Sequence, residues 1–288
     1  MDYVFDSIDE WLKDFFITCI MNNLSDVFNA INNRVGEIAN QVGLTPSAYS
    51  PGIFNMITNL SENVIMPIAG ILLTFIACYE LITLVTARNN LMHFDTFVFW
   101  KWIFKTFVAV TLITNTMNMT MAIFDVAQHV VNASGGIIAG STAIDDSALA
   151  SLESSLEALD NGSLMMIFMQ SFIVRIAAYI LSILIFVIVN ARMIEVYLMV
   201  SLAPLPFATF GNREQSMIGQ NYLRSLFALG FQGFLIMICV GIYALLIQTV
   251  TFSSDIVGSL WEIIGYTTLL AFTLFKTGTV AKSILHAH

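Results

Sequence analysis

Residues 64–85 read VIMPIAGILLTFIACYELITLV, with Glu80 as their one charge, and Arg88 follows just beyond. About 20 mainly apolar residues cross the hydrocarbon of a bilayer as a helix. Pro67 falls in the first turn of this stretch, where proline is tolerated. A Lys or Arg just past a span marks the cytoplasmic side, so this span runs from outside to inside. The same reading extends outward along the chain. Residues 35–87, 106–174 and 225–275 contain no Lys or Arg, and the bases collect at Arg88, Lys101 and Lys105, then Arg192, Arg213 and Arg224, then Lys276 and Lys282. Between those clusters lie four further apolar stretches, at about 100–124, 164–189, 227–250 and 260–280. The pattern predicts an all-α polytopic membrane protein with five spans, N-terminus outside and C-terminus inside.

Composition agrees with that class. The chain of 288 residues is 57% hydrophobic and 11% charged, against about 25% charged in a soluble domain, and its mean hydropathy is +0.81. So few charges mean that much of the surface faces lipid. The net charge of −9 gives no basic patch for nucleic acid, and the acids, gathered near the N-terminus and in one loop, read as solvated outer regions. Cys19, Cys78 and Cys239 fit no metal spacing, and the last two lie inside apolar runs as packing residues. The opening MDYVFDSIDEWLKDFF is acidic where a secretory signal is basic.

Two domains are expected: an extracytoplasmic segment, 1–60, and a transmembrane domain, 61–288. Within the first, Val4, Phe5, Ile8, Trp11, Leu12, Phe15, Phe16, Cys19 and Ile20 recur at helical spacing, followed by Leu24, Val27, Phe28 and Ile31. One or two amphipathic helices result, lying beside the bilayer without crossing it, and their acids favour packing between subunits over binding to anionic lipid. Gly43, Pro46, Pro51 and Gly52 make 41–60 a loop. The outer loop 125–163 has six acids and no base. Within it DDSALASLESSLEALD, 145–160, reads as a short amphipathic helix capped by Asp145 or Ser147. A continuous helix from 164 to 198 would run about 50 Å. Residues 192–226 are cytoplasmic or re-entrant: 193–210 are apolar, yet Pro204 and Pro206 interrupt them and bases flank both ends, so they dip into the membrane or lie at its interface.

Polar groups within spans are the candidate functional positions. Glu80 and Lys105 sit at matched depth near the inner ends of spans one and two, either paired or each reaching the interface separately. Arg175 lies in the outer half of span three, as a cavity-lining or subunit-bridging charge or as a base snorkelling to headgroups. The row Asn115, Thr116, Asn118 and Thr120, with Gln170, either lines a polar passage or bonds neighbouring helices. Gly230, Gly233 and Gly241 in span four allow close helix approach. Arg213 and Arg224 are candidate contacts for cytoplasmic partners or DNA phosphates. No catalytic, cofactor-binding or metal motif is present: His93, His129, His286 and His288 have no metal spacing, the last two reading as a frayed tail, and no phosphate loop or nucleophile signature occurs. The chain therefore reads as a non-enzyme without cofactor. No inverted repeat or matched pair of broken helices marks a secondary transporter.

The stretch MIEVYLMVSLAPLPFATFGN, 193–212, then a cytoplasmic helix, then FALGFQGFLIMICVG, 227–241, resembles the TrbL-type polytopic channel subunit of type IV secretion systems. The resemblance covers roughly 60–282. An outside N-terminal segment, five passes, a large outer loop after the second and an inside C-terminus are similar to that family's layout. The shorter length and acidic start resemble versions on conjugative elements of Gram-positive bacteria. The resemblance implies a homo-oligomeric subunit of the cytoplasmic membrane. With other membrane subunits, and with partner ATPases for energy, it would help carry single-stranded DNA and attached relaxase. It supplies no catalytic residue. The alternative is a small-solute transporter or permease, which needs a polar midplane site within one protomer; the polar residues here sit off-centre.

Overall fold

Length and apolarity outrank local turn signals in this chain, and nearly all of it is helix. The computed structural model describes residues 2–86, 96–138, 146–212, 214–250 and 256–287, and among them there are helices and no strands. In order these are α1 (Asp2–Val42), α2 (Pro46–Tyr49), α3 (Pro51–Leu60), α4 (Met66–Thr86), α5 (Thr96–Thr114), α6 (Thr116–Ile138), α7 (Asp146–Glu157), α8 (Asn161–Leu202), α9 (Pro204–Ala208), α10 (Ser216–Gln248) and α11 (Ile256–Ile284). Five stretches are long and apolar enough to cross a membrane: Pro51–Thr86, Phe97–Thr114, Asn161–Gly211, Ser216–Gln248 and Ile256–Ile284.

Three boundaries differ from expectation. The 41–60 loop is mostly helical, because both prolines occupy first helical positions, where the missing N–H costs nothing. The Thr45 side chain caps α2 by accepting from the Ala48 amide at 3.2 Å. A π turn at Ser61–Ile65 then joins α3 to α4, and it falls where Pro67 can give the Asn63 carbonyl no hydrogen bond. The second span is interrupted at Asn115. Backbone bonds persist through it, Asn115 N to Thr111 O at 3.1 Å and Met119 N to Asn115 O at 3.0 Å, but the candidate span ends at Thr114. The outer loop is largely taken up by the end of α6 and by α7. Asp145, Arg88, His93, Arg213 and His288 lie outside the described residues.

Asp160 caps α8, which sequence reasoning did not single out. Its carboxylate accepts from the Gly162 amide at 3.1 Å and the Ser163 amide at 3.4 Å. Those bonds, with one from the Ser163 hydroxyl, hold its pKa below the ordinary carboxylate value. At the other end of the chain His286 closes α11. It takes a positive φ of 49°, and Ala287 N reaches Lys282 O at 2.9 Å, the left-handed ending of a Schellman turn in place of the expected frayed tail.

Packing groups the chain into two units, a different matter from the division near residue 60 expected from the membrane pattern. One unit comprises Met1–Val42, Asn132–Asn190 and Leu235–Lys276. Here α1 and the first part of α8 run parallel. The Asn161 side chain donates to Asp9 Oδ1 at 2.7 Å, Asn23 Nδ2 to Ser171 Oγ at 3.1 Å, and Arg34 Nε to Ser182 Oγ at 3.0 Å. Both helices bury residues at seven-residue intervals: Ile17, Leu24, Ile31 and Ile38 on α1, and Leu164, Ser171, Ala178 and Ile185 on α8. That is the seam spacing of paired helices. The small Ser171 and Ala178 let the backbones approach. In the same unit the Tyr243 hydroxyl meets Thr267 Oγ1 at 3.1 Å, linking α10 to α11.

The other unit comprises Gly43–Val131, Ala191–Phe234 and Thr277–His288. Its core gathers Ala69 and Leu73 of α4, Ala109 and Ile113 of α5, Val196 and Val200 of α8, and Leu226 of α10 around Phe207. Outward from α4 and α5, Ile71, Phe75, Ile82, Phe104 and Phe107 are exposed, as lipid-facing positions are.

Candidate functional site

The chemistry of this chain concentrates where α8 ends and α10 begins. Pro204 and Pro206 stop α8 at Leu202. The short α9 and a 3-10 turn at Thr209–Gly211 carry the chain across to α10. An added Cβ at Gly211 would lie 3.0 Å from Leu73 Cδ1, 3.6 Å from Ile76 and 3.9 Å from Ala109. Leu73 and Ile76 are midway along α4, so the turn packs against the middle of that helix.

Buried irregular backbone needs protein partners for its polar groups, and several are in place here. The Thr209 hydroxyl donates to Pro206 O at 2.7 Å and accepts from the Gly219 amide at 3.1 Å, so one side chain serves the turn and the first turn of α10. Asn212 Oδ1 accepts from the Glu214 amide at 2.7 Å. The Tyr222 hydroxyl donates to Met199 O at 2.7 Å and the Tyr197 hydroxyl to Pro46 O at 2.7 Å.

Arg192 is packed into the protein, which its place in the sequence does not reveal. Its position past an apolar run reads as a base at the membrane face, yet its side chain is buried, with Nη2 donating to Leu229 O at 3.2 Å. The Nε–H has no hydrogen-bond partner among the described residues. The nearby signal is Glu195, one turn away, whose carboxylate takes Lys282 Nζ at 2.7 Å. Gln232, also buried, donates to Thr277 Oγ1 at 3.4 Å.

The expected positions are placed as follows. Lys105 Nζ lies 3.2 Å from Glu80 Oε1, the carboxylate being mostly buried. Arg175 turns toward α1: Nη1 donates to Asn23 Oδ1 at 3.0 Å and Nη2 lies 2.8 Å from Asp26 Oδ2. Thr116 and Thr120 are buried and bond carbonyls one turn back, Ile113 O at 2.7 Å and Thr116 O at 3.0 Å, while Asn115 donates to Thr111 O at 2.9 Å. These groups satisfy their own helix. Asn118 is exposed. Gln170 belongs to the other unit, with a buried Oε1 that has no hydrogen-bond partner among the described residues. Arg224 is exposed, Gly233 is buried and Gly241 half-buried. Of the cysteines, Cys78 is exposed rather than packed, and all three are free.

Gly230 lies where α10 comes close to α6, since a Cβ there would meet Ala127 Cβ at 3.0 Å. Gly230→Leu is expected to cost about 1–3 kcal/mol through overpacking, read as a lower melting temperature of the detergent-purified protein. An unchanged melting temperature would show that α6 yields freely.

Compared with known families, residues 31–204 match the model described as TrbL/VirB6 plasmid conjugal transfer like protein. Neither a curated protein nor a solved structure matches the chain.

Proposed function

We propose that this chain, which belongs to the TrbL/VirB6 plasmid conjugal transfer-like family, acts as a channel or scaffold subunit that helps carry single-stranded DNA and attached protein across the cytoplasmic membrane. The chain is a multi-pass membrane subunit of a conjugative type IV secretion system. The observation that carries the finer reading is the family match, which covers α2 to α8 and reaches Pro204, where α9 begins. Partner ATPases supply the energy in this reading, since no phosphate-binding loop occurs in the sequence. Copies of the chain assemble with one another and with the other membrane subunits. Small-residue seams and polar contacts hold that assembly, because lipid offers little hydrophobic drive between helices.

Transfer from a donor carrying an in-frame deletion of the gene tests the reading. The expected result is loss of element transfer at normal growth, restored by the gene in trans. Undiminished transfer would remove the protein from the machine, and solute-uptake assays would follow. Crosslinking to DNA in transit then separates channel from scaffold.

The distribution of Lys and Arg supports an orientation with the N-terminus outside and the C-terminus inside. An impermeant thiol reagent added to intact cells is expected to label Ala150→Cys and to miss Ser216→Cys. The reverse pattern would invert the topology.

A further inference from the structure

The pairing of α1 with α8 puts two opposite surfaces at one level. The contacts keep a nearly constant offset: Asp9 meets Asn161, Asn23 meets Ser171 and Arg175, and Arg34 meets Ser182. From Asp9 to Arg34 the pair runs about 38 Å at 1.5 Å per residue, longer than the roughly 30 Å of bilayer hydrocarbon. The part of α8 so paired carries the apolar run 164–189, and its outward positions are apolar throughout: Phe172, Ile173, Ile176, Ile180, Ile183 and Val187 are all exposed. Such a face suits lipid. Alongside it, beyond the exposed Ile8, Trp11 and Phe15 nearer its start, the outward face of α1 is amide and acid: Asn22, Asn29, Asn33, Glu37 and Asn40 are exposed and Asp26 is partly so. Their spacing of three, four or seven residues makes one continuous stripe.

A stripe of this kind has no place against hydrocarbon, where unsatisfied amides and charges are costly. Two ion pairs sharpen the point. Arg175 with Asp26 has side chains 35% and 43% exposed, and Arg34 with Glu37 has 22% and 52%. Partly exposed pairs at this depth favour a medium of high dielectric constant. A second amide stripe would satisfy the asparagines but would leave those charges desolvated; water satisfies both.

We propose that this α1 stripe lines an aqueous path at the depth of the membrane hydrocarbon. The path's wall is amides flanked by two ion pairs and carries no net charge, so it suits hydrated or hydrogen-bonding polymers and solutes without selecting a sign of charge. The inference rests on α8 crossing the membrane within the proposed transfer subunit. It moves α1 from beside the bilayer, where its amphipathic pattern alone put it, to within bilayer depth.

Thiol reactivity tests it in full-length protein, in membranes of cells making the whole machine. Cys19, Cys78 and Cys239 are replaced by serine, and single cysteines are introduced by Asn29→Cys, Asn33→Cys, Ile176→Cys and Ile180→Cys. Labelling after denaturation gives the amount of protein present. Because the thiolate is the reacting form and hydrocarbon suppresses ionisation, a charged, impermeant reagent is expected to modify the two α1 positions about tenfold faster or more than the two on α8. Equal, fast rates at both sets would put the helix pair outside the hydrocarbon, and protection of both α1 positions would put protein against the stripe. Either result overturns the proposal. DNA transfer by the same variants, scored separately, reports on the conjugal role and not on the lining.

Discussion

Replacing Phe207 with alanine is expected to lower the stability of the purified protein by about 3 kcal/mol, the lower end of the range for truncating a buried phenylalanine. The lower end applies because part of the usual cost is transfer from water, and within a membrane the unpacked chain has lipid to contact. What remains is lost dispersion and the cavity. Phe207 is fully buried. Tyr222 meets its ring at 90° with centroids 5.7 Å apart, and Phe210 lies at 6.0 Å. Those two rings flank the turn from α8 to α10, so the cavity would open where that turn is held. The melting temperature in detergent should fall clearly for Phe207→Ala and by much less for Phe207→Leu, which keeps most of the volume. Element transfer should fall in the same order. Equal melting temperatures for alanine and the natural residue would show that this core does not hold the turn.

The class of fold was legible because membrane spans announce themselves by length. The run at 64–85 needs no partner to be recognised, and Pro204 and Pro206 between flanking bases suffice to suggest a segment that enters without crossing. What stayed hidden depends on partners far along the chain. The α1 periodicity at Ile17, Leu24, Ile31 and Ile38 says that a helix buries one face. It does not say that the face meets α8, because any apolar seam with the same spacing would serve. For the same reason the sequence does not reveal that Arg175 pairs with Asp26, some 150 residues away. The burial of Arg192 is hidden in the same way: a base after an apolar run marks an interface on average, and its bond to the Leu229 carbonyl depends on a partner 37 residues on. The loop expected at 41–60 failed more locally. Prolines there were read as breakers, whereas Pro46 and Pro51 each begin a helix.

Gly219→Leu is expected to exceed the usual 1–3 kcal/mol of overpacking and to abolish both assembly and transfer. A Cβ at this position would lie 2.8 Å from Pro206 O and 2.8 and 2.9 Å from two atoms of the Phe210 ring. A side chain's far end can move aside, but the Pro206 carbonyl is backbone within α9 and already accepts from the Thr209 hydroxyl. The first turn of α10 would have to withdraw. The Gly219 amide would then lose the Thr209 oxygen at 3.1 Å, leaving a donor unpaired in a buried site, where such groups cost about 1–3 kcal/mol. The steric and polar losses therefore come together and do not relax independently. Gly219→Ala separates them in degree: it introduces the same first clash with no further bulk, so it should be destabilised but still recoverable at low temperature. Thr209→Val removes the hydroxyl while keeping the side-chain shape, and should weaken the protein without the clash. If Gly219→Ala matches the natural protein in melting temperature while Thr209→Val does not, the hydroxyl bracket, and not the close approach, is what fixes the turn.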